Sequence, residues 1–326
     1  MIALLGATGY TGKLVTAELV RRGVPHRLGG RNPEKLASLA SDGDRFVLDV
    51  GEAGRLDAFL DGASAVISTV GPFVRLGMPA VEAAVRSQVP YVDSTGEQTF
   101  IADVYQRFTD ASSPVVPGCG FDFIPGDLAA AVAVSDLGGD VSEIAVHTQP
   151  VAVWPSRGTA QTTVEMAGSL ATQGKTRRVP FTDGVRSAVE FPFGDVVLAR
   201  HARGAEVVTT IVMLPGGDHL VRAAAPVLGR LGPLVDRLPE GPPERARRWA
   251  RFRVLAEAIG PEGRAAVQCE GRDVYGLTAR FLVAAAQRVS GAGAMAPAEA
   301  LDAEAFLEAV SGEDEHGAFS WSRVAN

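Results

Sequence analysis

At 326 residues the chain is long enough for two domains, and 46% hydrophobic residues supply material for a sizeable core. Its net charge of −7 argues against nucleic acid or an anionic membrane as a general partner. Two cysteines are too few for a disulfide framework, no apolar run is long enough for a bilayer, and Met1 leads straight into a strand; the expectation is a cytoplasmic protein without a leader.

The first predicted strand is Ile2 to Leu5, and the first predicted helix runs from Lys13 to Arg22 with Leu14, Ala17, Leu19 and Val20 mostly on one side. Between them stands Gly6-Ala7-Thr8-Gly9-Tyr10-Thr11-Gly12, a GxxGxxG spacing. Glycines in a strand-to-helix turn let the backbone approach a pyrophosphate, and the helix start offers N–H groups and partial positive charge to it. Gly6, Thr8, Gly9, Tyr10, Thr11 and Gly12 are therefore candidate cofactor residues. The same pattern also serves as a purely structural turn.

A second strand, Pro25 to Gly30, ends in Gly30-Arg31-Asn32 and leads to a helix from Pro33 to Ala40. The end of the second strand of a dinucleotide fold lies beside the adenosine ribose, where an acid would bond a free 2′-hydroxyl. Arg31 stands there instead, with Asn32 beside it, and a guanidinium suits a 2′-phosphate; NADP(H) is expected rather than NAD. A solvated arginine at a strand end is the bland alternative. The third strand, Arg45 to Asp49, ends at Asp49-Val50, a candidate adenine border. A helix follows at Leu56 to Leu60. Ala65 to Val70 reads as a buried central strand, and its end at Thr69-Val70-Gly71-Pro72-Phe73 should face the cofactor crevice. A helix from Met78 to Ser87, a strand Tyr91-Val92-Asp93, a helix from Phe100 to Ala111 and a strand from Pro114 to Pro117 complete the alternation. It predicts a doubly wound parallel sheet, with ligands beyond the carboxyl ends of its strands. Cys119 and Gly120, after the last strand, join the candidate cofactor residues.

After a helix from Pro125 to Ser135 the hydrophobic period changes. Strands are expected at Ser142 to Pro150, Arg186 to Phe191, Asp195 to His201, Glu206 to Leu214 and around Ala250 to Val254, with a turn at Pro261-Glu262-Gly263 and a partner strand from Ala265 to Glu270. Helices are expected at Thr159 to Thr172, Leu220 to Leu238, Leu277 to Val289 and Ala298 to Val310. The arginine-rich run from Glu244 to Arg253 reads as a half-exposed strand rather than an anion-binding surface. The fold class is thus α/β, a Rossmann-type domain joined to an α+β domain on a mainly antiparallel sheet, which offers a face for a homodimer.

GATGYTG, GGRN, STVGPF, YVDSTGE and GCGFDFIPGDLA, in this order, resemble the saccharopine dehydrogenase-like oxidoreductases, a family that includes saccharopine reductases and trans-acting enoyl reductases. Ser156-Arg157-Gly158-Thr159 and GRDVYGLTA (271–279) resemble family patterns more loosely. The resemblance implies an NADPH-dependent reductase acting on a C=N or activated C=C bond of a small biosynthetic intermediate. It also implies that the last helices pack back on the first domain, giving a nucleotide domain of residues 1–135 with 272–326 and a substrate or dimerisation domain of 136–271.

For the chemistry, no tyrosine has a lysine four residues on, which argues against the short-chain dehydrogenase mechanism, and Lys175 is the second domain's one lysine. Asp122 ends a central strand and would relay a proton, orient substrate, or merely cap the next helix. His147 and His201 on predicted strands are weaker candidates. Phe73, Arg75, Asp93, Thr95 and Arg157 are candidate substrate contacts, with Arg75 or Arg157 suited to a carboxylate; Asp93 and Thr95, with Glu97, serve equally well as turn-stabilising residues. No spacing supports a metal site. Cys119 carries a separate possibility. Pro117-Gly118-Cys119 loosely resembles the nucleophile of N-acetyl-glutamyl-phosphate reductases, whose thiolate attacks an acyl phosphate. A third class is a non-enzymatic NADP(H) sensor of the NmrA-like type, which shares the glycine turn.

Overall fold

The structure is a computed structural model and describes residues 1–151, 175–191, 194–200, 202, 204–212, 240–314 and 317–325. The chain divides into two compact units, Met1–Ile124 with Tyr275–His316 and Pro125–Val274 with Gly317–Asn326. The expected boundaries near 135 and 272 compare with 124 and 274, and the terminal strand lies in the second unit rather than the first.

The first unit is a parallel sheet. Its strands are β1 (Ile2–Leu5), β2 (His26–Gly30), β3 (Asp44–Val47), β4 (Ala65–Ser68), β5 (Tyr91–Asp93) and β6 (Pro114–Val116). The order is β6-β5-β4-β1-β2-β3, with the short strand Gly293–Ala294 added beside β6. Every pairing is parallel. Consecutive residues of β1 and β4 are buried, as required of central strands covered on both faces. The connecting helices are α1 (Tyr10–Arg21), α2 (Pro33–Ala37), α3 (Ala53–Leu60), α4 (Phe73–Leu76), α5 (Met78–Arg86) and α6 (Gln98–Arg107). The one-turn α4 was not expected; it is too short to show a period. The helix Val274–Ala286 belongs, from Tyr275 on, to this unit. Its Arg280 is buried and donates to the Val310 and Gly312 carbonyls at 3.1 Å each, tying down the segment beyond it. The predicted helix from Ala298 to Val310 is two helices, Pro297–Ala300 and Ala303–Ala309. Leu301 ends the first, and Asp302 caps the second by accepting from the Ala305 N–H at 3.0 Å.

The second unit opens with α7, which begins at Ile124 and ends at Leu137. Its strands are β7 (Glu143–Val151), β8 (Thr176–Phe181), β9 (Gly184–Glu190), β10 (Glu206–Val212), β11 (Arg251–Gly260) and β12 (Gly263–Arg272), with a terminal strand Gly317–Arg323. They run in the order terminal strand-β12-β11-β7-β10-β9-β8. Among the described residues, the pairings of these seven strands are antiparallel except that of β7 with β10. The hairpin β8–β9 reaches back over β11 and β12: Asp183 pairs with Arg253 at 2.7 Å, and Phe181 packs with Leu255 and Ala266.

Two expectations fail here. Asp195–Leu198 is a helical turn, not a strand, and His201 lies outside the described residues. Glu244–Trp249 is a helix that precedes β11. Pro243 sets its N-cap, Glu244 and Arg248 pair across one turn at 2.6 Å, and buried Arg247 meets Asp273 at 2.8 Å. The arginine count masked this local logic. Strand β8 escaped notice because Arg177, Arg178 and Pro180 break its apolar alternation, and the terminal strand because its alternating stretch Phe319-Ser320-Trp321-Ser322 is short and follows an acidic tail. The predicted helices 159–172 and 220–238 lie outside the described residues.

Candidate active site of the nucleotide-binding unit

The sheet order reverses between β1 and β4, and ligands of open α/β sheets bind at that point, outside the carboxyl ends of the strands. Gly6 through Gly12 occupy it. Gly6 has φ +79°, a conformation that disfavours any side chain, and a Cβ there would lie 2.8 Å from the Thr69 hydroxyl. A Cβ on Gly12 would lie 2.1 Å from the Gly6 carbonyl oxygen, so the helix can approach the turn only without one. Thr69 completes the brace from β4: its N–H and hydroxyl both donate to the Leu5 carbonyl, at 3.1 and 3.0 Å.

The start of α1 fits a phosphate. Its N-cap is Gly9, exposed, and no side chain caps the first turn. Within the unit Asn32 caps α2 and Asp302 caps the helix Ala303–Ala309, while α3, α5 and α6 start, like α1, without a side-chain cap. A helix start has N–H groups without intrahelical partners, so the glycine leaves room for an anionic ligand oxygen. Tyr10, at the first helical position, meets Tyr275 edge-on with ring centroids 5.3 Å apart.

Arg31 stands at the end of β2 with its side chain 79% exposed, and its guanidinium lies 3.9 Å from Asp49 beyond β3. That distance and exposure leave the arginine free to turn toward a phosphate. The Asn32 side chain is not similarly free, since it accepts from the Lys35 N–H at 2.8 Å. Asp49 accepts from the Gly51 N–H at 2.9 Å and keeps its other oxygen toward Arg31; Val50 is half-buried beside it.

The loops after β4, β5 and β6 are held by a chain of buried acceptors. Asp93 is fully buried. One of its oxygens accepts from the Thr95 and Gly118 N–H groups at 2.9 Å each, and the other accepts from the Tyr91 hydroxyl at 2.8 Å. Desolvation raises its pKa to about 6 despite these donors. The Thr95 hydroxyl accepts from the Glu97 N–H at 3.0 Å. The Glu97 carboxylate then accepts from the Phe73 and Val74 N–H groups at 2.9 and 2.8 Å, capping α4 from another loop. Asp93 and Thr95 are thus buried braces with no exposed surface, which corrects their expected contact with substrate. Phe73 is corrected likewise: its ring is buried against Phe100 at 5.6 Å. Gly71, Pro72 and Val70 remain at the surface or half-buried, and Arg75 is exposed.

Cys119 is fully buried, its thiol donating to the Val116 carbonyl at 3.4 Å and its N–H to the Asp93 carbonyl at 2.8 Å. A nucleophile needs access, and this sulfur has none. Gly120 packs beside Thr278, whose hydroxyl accepts from the Phe121 N–H at 3.2 Å. Asp122 is the one acid at these loop ends with both exposure and a perturbed titration. Its carboxyl lies over Gly96, where a side chain would come within 2.9 Å of Oδ2. Desolvation by the surrounding protein raises its pKa to about 6, although the residue as a whole is exposed.

His147 lies elsewhere, buried in the second unit's sheet. Nδ1 is 2.8 Å from the Thr210 hydroxyl and Nε2 2.7 Å from Glu257, which Arg264 also holds. Both ring nitrogens are engaged, so the catalytic expectation gives way to a structural one. Burial pushes Glu257 up, but His147 and Arg264 outweigh it and hold its carboxyl below the usual range. Arg157 lies outside the described residues. Among the described residues no group of three or more His, Cys, Asp or Glu could hold a metal, and no helix is long and apolar enough to cross a membrane.

Sequence reasoning missed Tyr275 and Thr278 as neighbours of the glycine turn and of the β6 loop. They sit in the segment whose resemblance was noted, but nothing in their spacing says which loop they meet.

An NAD(P)H-binding family model matches residues 6–102. The chain is 37% identical over 140 residues to a trans-acting enoyl reductase of Mycobacterium ulcerans (strain Agy99), a match covering 39% of this chain and 34% of that protein. The trans-acting enoyl reductase of Mycobacterium leprae (strain TN) is 35% identical over 140 residues, with the same coverage. The chain therefore matches about a third of the length of these curated relatives. In fold it is similar to saccharopine dehydrogenase (L-Glu forming) from Saccharomyces cerevisiae, with a TM-score of 0.68 over 99% of both chains at 13% identity. The first unit is thus an NAD(P)H-binding domain of the Rossmann type, within a chain that has the saccharopine dehydrogenase fold.

Proposed function

We propose that the chain is an NADPH-dependent reductase that acts on an activated carbon–carbon double bond of a small-molecule or carrier-bound intermediate. The observation that carries this reading is the uncapped glycine start of α1 at the sheet's reversal point, with Arg31 exposed at the end of β2. The likeness to trans-acting enoyl reductases supports C=C over C=N as the bond reduced.

In this reading the backbone of Gly9 to Gly12 receives the pyrophosphate, Arg31 the 2′-phosphate, and the loop from Thr69 to Pro72 borders the nicotinamide. When bound, the nicotinamide supplies the hydride. The chain's own task is to orient the acceptor and provide a proton. We assign that proton to Asp122, which is exposed after β6 with its carboxyl over Gly96 and its pKa raised to about 6.

The test is NADPH oxidation against enoyl thioesters, cyclic imines, and keto acids paired with amines. Turnover of the thioesters alone is the expected result. Turnover confined to the imines would move the reading to C=N chemistry. NADPH binding with silence on all three would leave the non-enzymatic sensor in its place.

A further inference from the structure

The helix Val274–Ala286 is buried at every residue except Tyr275 and Thr278. These two are half-buried and, three residues apart on a helix, share one face. Each is held in place. The Tyr275 ring meets Tyr10, the first residue of α1, with centroids 5.3 Å apart and planes at 84°. The Thr278 hydroxyl accepts from the Phe121 N–H at 3.2 Å. Its methyl group lies 3.4 Å from where a Gly120 Cβ would stand, and the same point is 3.8 Å from the Ser94 Cα in the loop after β5. One turn of helix thus touches the loops that follow β1 and β6. In the sheet β4 and β5 stand between those two strands. Neighbouring strands are about 4.8 Å apart, so β1 and β6 are separated by about 14 Å. A turn and a tyrosine side chain that reach both loops pass beside the ends of β4 and β5. In a doubly wound sheet that half takes the nicotinamide nucleotide, as the half from β1 to β3 takes the adenosine.

We propose that the face bearing Tyr275 and Thr278 walls the nicotinamide end of the cofactor site. The Tyr275 ring packs on the nicotinamide and its ribose, and Thr278 positions the helix against the β6 loop. An aromatic side chain braced by a second ring, with a hydroxyl one turn on, is a lining suited to a planar, partly polar group. The proposal rests on the NADPH-binding part of the function proposed above and not on which bond is reduced.

The experiment compares two ligands by calorimetry. One is NADPH. The other is 2′-phosphoadenosine 5′-diphosphoribose, which keeps the pyrophosphate and the 2′-phosphate but lacks the nicotinamide. Tyr275→Ala should raise the Kd of NADPH about 5- to 10-fold, the range of one aromatic contact, and leave the second ligand within about twofold. Tyr275→Phe, which keeps the ring, should leave both within about twofold. The binding stoichiometry counts the folded protein, and Tyr275→Leu repeats the comparison with less lost volume if the alanine variant folds poorly. Equal losses for the two ligands in Tyr275→Ala would mean that the ring only props the glycine turn through Tyr10. An unchanged Kd for NADPH would take Tyr275 out of the site, and a loss as large in Tyr275→Phe would remove the ring packing. Each of these results overturns the proposal and leaves the NADPH reading in place. No binding of either ligand to the unaltered chain would reject both together.

Discussion

At the scale of single residues, two exposed groups at the first unit's loop ends carry the testable chemistry. Arg31 is one. Its 3.9 Å separation from Asp49 is loose, and a 2′-phosphate offers a stronger partner. Arg31→Ala should raise the Kd for NADPH about tenfold or more and leave NADH nearly unchanged, as read by nucleotide fluorescence titration. Equal losses for both would remove the phosphate role. Asp122 is the other. Its carboxyl is raised, so the protonated acid persists to about pH 6. A donor must carry its proton, so kcat/KM should fall as pH rises above about 6, and Asp122→Asn should be slow with that descending limb gone. A pH profile of the variant that keeps the limb would assign the proton to another group. His147 and Cys119 show the reverse. Their residue types suggested chemistry, but contacts formed by distant strands decide their state, and a linear reading does not see those.

At the scale of elements, the βα units were legible because each buried strand ends in a polar, glycine-rich break. Strands β1, β4, β5 and β6 follow the apolar runs closely, and the glycine turn announces α1. What was not legible is how the loops lock together. Asp93 and Thr95 looked like substrate contacts because they are polar residues at a strand end, and Glu97 stands beside them. Their partners, the Gly118, Phe73 and Val74 N–H groups, come from two other loops. A buried carboxylate that accepts two backbone N–H groups is worth more to the fold than to a ligand. Glu97→Ala should therefore lower stability by about 2 kcal/mol in denaturant unfolding, the cost of leaving such donors unpaired.

At the scale of the whole molecule, two units are built by different rules. The first alternates strand and helix and carries its site at the reversal of strand order, a place that topology selects without regard to substrate. The second is a mainly antiparallel sheet whose ionic groups face one another, as in His147–Glu257–Arg264 and Arg177 between Glu143 and Glu190. The nicotinamide cofactor class was readable from the glycine turn because phosphate recognition is local. The acceptor was not, because the sequence holds no comparably local motif for it. The central claim is that hydride leaves the nucleotide and forms a new C–H bond on an enoyl acceptor. It is tested most directly by incubating the protein with NADPH deuterated at the nicotinamide C4 and an enoyl thioester, then weighing the product by mass spectrometry. Using each C4 epimer in turn, the account predicts one deuterium at the β-carbon from one epimer and none from the other. Recovery of the unreduced thioester with all label still on the nucleotide, under conditions where NADPH is bound, would contradict it.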